Sequence, residues 1–246
     1  MATNSYLFRR PSDRALFVTA AIAFPLLVLI GYARSYYFAA YFNSKPLANT
    51  LVHVHAVVMT AWVAYFSAQI ALARASSIRL HRSLGMAGVA LAALVFATGM
   101  AVAIDKHLVQ RSAPKGVSPE GFFAIPLAEM LLFALCFGGS FYYRKRPAEH
   151  KTLMLMTAIN FLTPAFARIP LLPPGLGFRI AQVFGIPALL ALACFGWHTW
   201  KHRRPNAVFA AALLIQLASY PLVIFLGRNE TWIAFVARVY SLLAVG

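Results

Sequence analysis

The chain has 246 residues, 61% of them hydrophobic and 11% charged, with a mean hydropathy of +0.71. A soluble domain carries about 25% charged residues, so a water-soluble globule is excluded. The apolar residues fall in long uncharged runs, each near the ~20 residues that cross a ~30 Å hydrocarbon core as a helix. In a soluble protein a net charge of +16 would point to nucleic acid. Here the basic residues cluster between apolar runs, where they orient a chain in the bilayer. The lipid bilayer, not nucleic acid, is the expected partner.

Seven apolar stretches are predicted as spans, over residues 15–36, 50–73, 83–104, 122–143, 151–171, 179–200 and 206–227. The first follows Arg9, Arg10 and Arg14 and lacks a small-residue cleavage pattern, so it reads as a retained span, not a signal peptide. The tight turns RRPSDR, RASSIRLHR, YYRKRPAEHK and HTWKHRRP place thirteen Lys and Arg on one side. The longer connections of the other side hold nine. That asymmetry predicts a cytoplasmic N-terminus and an external C-terminus. The tail from Thr231 to Gly246 is apolar but short, and Arg238 interrupts it, so it reads as an interfacial helix, with an eighth span as the alternative. Cys136 and Cys194 lie inside apolar runs and read as packing residues. The expected fold is all-α: a polytopic, seven-transmembrane-helix bundle forming a single domain over residues 1–246.

An ionisable side chain within a span costs about 2.5–3.5 kcal/mol on insertion scales, so each is a candidate functional group. Glu129 lies in FFAIPLAEMLLF, three residues after Pro126, and Arg168 in FLTPAFARIPLL, four after Pro164. The predicted orientation puts both in the outer half. His53 and His55 open the second span in LVHVHAVVMTAW, and two residues on a helix differ by ~200° in direction. His55 is the inward candidate, heading a stripe with Met59, Trp62, Phe66 and Gln69. The expected outer pocket combines Glu129, Arg168, His53, Trp62 and Met59 with His55, and His55 with Glu129 is a candidate metal pair. At the inner side, His81 in RLHRSLG and His150 in AEHKTLML begin different spans at one depth. Such a pair can approach a flat macrocycle from its two faces. His198 and His202 have the i, i+4 spacing of a shared metal, but they run into a basic turn and read as facing the headgroups.

The order His55, then YFSAQIALARASSIRLH ending at His81, then a small-residue span ending near His107, resembles the ascorbate-type transmembrane cytochromes b over residues 50–170. In that family a Lys or Arg stands two residues before the inner histidine, and here Arg79 precedes His81 at that spacing. The resemblance implies two haems b, the inner one held by His81 and His150. The outer one would need His55 and a histidine of the fourth span, where this chain offers only Glu129. RLHRSLG and RPAEHKTLML followed by Arg168 also resemble a group of uncharacterised bacterial multi-pass membrane proteins, which implies a bacterial cytoplasmic (inner) membrane.

Two functions follow as expectations. One is a haem b-binding electron carrier or quinone-linked oxidoreductase, with a quinone or another redox partner. The other is a binding or transport protein for a small anion or lipid headgroup, using the outer-half pocket. A zinc-dependent intramembrane hydrolase ranks last, because it needs several His and Asp ligands converging on an open coordination site. The seventh span has no histidine, and Asp13 and Asp105 lie near span ends.

Overall fold

The structure is a computed structural model and describes residues 13–44, 49–173 and 175–244. Within them the chain is all-helical, without strands. Its main helices are α1 (Arg14–Tyr32), α2 (Thr50–Arg74), α3 (Ile78–Ile104), α4 (Pro119–Tyr142), α5 (Pro147–Asn160), α6 (Leu162–Phe166), α7 (Leu176–Ile180), α8 (Ile186–His202), α9 (Ala207–Leu226) and α10 (Glu230–Ala244). Among the described residues six helical segments are long and apolar enough to cross a membrane: Arg14–Tyr37, Thr50–Arg74, Ile78–Val109, Pro119–Tyr142, Leu176–His202 and Ala207–Leu226. They coincide with six of the seven predicted stretches.

The remaining stretch, predicted as one span over residues 151–171, is two helices. Pro164 has no N–H to give the carbonyl of Asn160, and its ring crowds that carbonyl. The helix breaks there, and α6 resumes after Phe161. The α5–α6 pair is also the inner pillar of the bundle: α5 packs on α1, α4, α8 and α9. Thr152, Thr157, Asn160 and Thr163 are all buried in protein, so polar side chains here never meet lipid. Leucines such as Leu131, Leu189 and Leu214 on the surrounding helices are exposed instead, as an apolar solvent requires.

The proline within α1 is compensated by a neighbour. Pro25 frees the carbonyl of Ala21, and Ser67 on α2 donates its hydroxyl to that oxygen at 2.8 Å. Asn49, Ser118 and Asn206 cap α2, α4 and α9 by accepting from Val52, Gly121 and Phe209. The middle of the bundle is an aromatic stack. Trp62, wholly buried, meets Phe133 at 5.0 Å and Phe137 at 5.6 Å between ring centroids, and Phe133 meets Phe161 at 4.9 Å.

Three five-residue π-helical turns, Ala33–Tyr37, Asp105–Val109 and Ala181–Gly185, follow α1, follow α3 and precede α8. Chain direction puts all three at the end of the bundle that also holds Arg168. At that end α10, an amphipathic helix of 15 residues, rests on α4 through Trp232, whose indole donates to the carbonyl of Glu120 at 3.2 Å. Fifteen residues reach only about 22 Å, too short for a straight crossing.

Candidate functional site

At the end where α3 and α5 begin, His81 and His150 turn toward each other, with ring centroids 6.3 Å apart and planes at 88°. Each is held through Nδ1. His81 donates to the backbone carbonyl of Gln69 at 3.3 Å, and His150 to that of Ser140 at 2.9 Å. A carbonyl only accepts, so the proton is on Nδ1 in both rings and both Nε2 lone pairs are free. Two imidazoles on opposite sides of one metal, with bonds of ~2 Å, have ring centres roughly 6 Å apart. The observed separation is of that size and also falls within the range of an ordinary edge-to-face ring contact. The carboxamide of Gln69 is buried nearby on α2, with the Tyr65 hydroxyl beside it.

At the other end His55 points inward, as the stripe predicts. Its Nδ1 lies 3.0 Å from Thr98 Oγ1, and the Thr98 hydroxyl is itself spent on the carbonyl of Leu94. Nδ1 is therefore the donor, and Nε2 is again free. The ring sits beside Gly99 and Met130 where α4 crosses α3. Met59 and Trp62 continue the same face into the aromatic stack.

The expected single outer pocket is divided. Glu129 lines a cleft between α4, α5, α6 and α9 with Asn160, Thr163 and Tyr220, and His55 is not part of its wall. Glu129 and Met130 are adjacent on α4 and differ by ~100° in direction, so the acid faces α9 while the thioether faces α3. The candidate His55–Glu129 metal pair is therefore not brought together: His55 bonds Thr98 on α3, while Glu129 lines the cleft toward α9. His53 is exposed against Tyr36, outside any cavity with Glu129. Arg168 is exposed at the rim, with its guanidinium 4.4 Å over the ring of Tyr32 and its Nη1 on the Pro164 carbonyl at 2.6 Å. No ion pair joins Arg168 to Glu129 among the described residues, although the charges of both act on Tyr32.

A cluster that sequence reading left at the headgroups lies beside the His81 end. Asp13, at the start of α1, is buried, and its Oδ2 accepts from Lys151 Nζ at 2.6 Å, His198 Nδ1 at 3.1 Å and His202 Nε2 at 2.9 Å. Burial alone would push this carboxyl up. The hydrogen bonds from Lys151 and His202 and the charges of Lys151 and His198 outweigh it and hold Asp13 below the ordinary carboxylate value. His198 is also buried, which corrects its headgroup-facing assignment. The i, i+4 spacing was the available signal; its partner 185 residues away was not.

Comparison of the chain with protein-family models, with curated proteins and with solved structures finds no match. The resemblance to ascorbate-type cytochromes b rests on the quoted sequence motifs alone.

Proposed function

We propose that the protein is a multi-pass membrane electron carrier that holds a haem b between His81 and His150. The observation that carries this reading is the pairing of two histidines from different helices, both with Nδ1 tied to backbone carbonyls and Nε2 free, which would hold the group between them. Haem iron held by two imidazoles supplies one-electron transfer. The carbonyls of Gln69 and Ser140 fix each ring's tautomer and orientation, as outer partners do for metal-bound histidines. The aromatic stack of Trp62, Phe133, Phe137 and Phe161 fills the span's middle and excludes water between the His81 end and the His55 end. His55 has a free Nε2 at the second end, where a quinone or other redox partner would meet the bundle.

In this reading α5 with α6 completes a seventh crossing, the N-terminus is cytoplasmic, and the membrane is the bacterial inner membrane. The thirteen-to-nine distribution of Lys and Arg supports that orientation. The alternative, a small-anion or lipid-headgroup carrier, draws on the exposed cation of Arg168, but Arg168 does not line the small cleft that holds Glu129. The visible spectrum of the purified protein tests the proposal. A Soret band with sharp bands on reduction is expected, lost in His81→Ala and in His150→Ala while membrane insertion persists. A wild-type protein that takes up no haem when haem is supplied overturns it.

A further inference from the structure

We propose that Asp13, His198 and His202 form a binding site for one divalent transition-metal ion of the zinc class. The three come from the start of α1 and from two successive turns of α8. Their donor atoms all lie within 4.8 Å of one another. Tetrahedral ligands with bonds of ~2.0–2.1 Å are roughly 3.3 Å apart. The carboxylate oxygen here is 3.1 Å from His198 Nδ1 and 2.9 Å from His202 Nε2. The two imidazoles lie one turn apart on α8, with ring centroids 4.3 Å apart and planes at 30°.

A hydrogen-bonded lock between helices would explain the three donors on Oδ2. It does not explain the other oxygen. Asp13 Oδ1 is buried and has no partner, although a buried carboxylate has room for about four hydrogen bonds. Three donors crowd one oxygen while its twin is left bare. An ion on Oδ2, between the imidazoles, resolves this imbalance. Lys151, whose side chain is 32% exposed and flexible, then passes from Oδ2 to Oδ1 and keeps the carboxylate ionised. Two neutral imidazoles and one carboxylate suit zinc or a neighbouring first-row ion. A fourth position stays open toward His202, the more exposed of the two histidines at 22% against 3%, which gives an entry path from the polar end.

This site is independent of the haem reading, and one experiment separates them. Protein in detergent is stripped with a chelator, dialysed against zinc, and analysed for metal content and for the reduced-haem spectrum. Wild type is expected to retain one zinc per chain and to melt at a higher temperature with zinc than without. His202→Ala and Asp13→Asn are expected to lose the zinc and the melting shift while keeping the spectrum of wild type. His81→Ala is expected to keep the zinc. Should Asp13→Asn fail to fold, His202→Ala, at the exposed rim, decides alone. Wild type that retains no more zinc than His202→Ala overturns the proposal, whatever the spectrum shows.

Discussion

A carboxylate leaves water only where donors replace its hydration, and Asp13 shows how local that replacement is. Lys151 supplies the shortest contact and a full positive charge. In metal-free protein Lys151→Met should lower stability by about 1–3 kcal/mol, the range for a buried acceptor losing a partner. His202→Ala, at the rim, should cost less. Thermal melting in detergent orders the two, and an equal or inverted effect would show that the imidazoles, not the ammonium, hold the acid. Residue roles were legible in the sequence where periodicity carried them: the His55, Met59 and Trp62 stripe does face inward. Depth alone misled at Glu129. The fourth span is apolar all round, so nothing in its pattern tells which neighbour each residue meets, and matching Glu129 with His55 by height missed the ~100° between Glu129 and Met130.

Helix pairs in a membrane approach closely where small residues meet, and two such crossings define how the elements dock. A Cβ added at Gly31 would sit 2.8 Å from the carbonyl oxygen of Ala165, and one at Gly121 would lie nearly on the carbonyl of Gly227. In both cases the obstacle is backbone, which cannot rotate away. Gly31→Ala and Gly121→Ala should therefore each destabilise by about 1–3 kcal/mol, as overpacking does, whereas Gly85→Ala, with open space around it, should be near neutral. Melting temperatures of the three variants measure this. The six apolar spans were legible because hydropathy in lipid reports burial directly. The break at Phe161 was half legible: Pro164 announced an irregularity, but its position one turn earlier follows from the Asn160 carbonyl that the proline leaves unpaired. The π-helical turns had no sequence signature beyond Pro187 following the third.

On the scale of the whole molecule the two ends are built differently. The end with His81, His150 and Asp13 is made of regular helix termini and tight basic turns, and the end with Arg168 is made of π turns, broken helices and the amphipathic α10. If the basic end faces the cytoplasm, reporter fusions at Arg146 and at Lys115 should report cytoplasmic and external locations respectively. The reverse outcome would invert the molecule without altering the contacts inside it.

The enclosure of α5 also bears on biogenesis. Its 14 residues span only about 21 Å and carry Thr152, Thr157 and Asn160, so alone it is a poor substrate for lateral release into lipid. Its heaviest packing is against α4, the helix made just before it. The ribosome thus delivers the polar pillar directly after the surface that shelters it, and the helices that complete the enclosure, α8 and α9, arrive only later. During that interval the faces of α5 destined for α8 and α9 lie bare. The packing therefore predicts that α5 settles into the membrane only once α8 and α9 have been made.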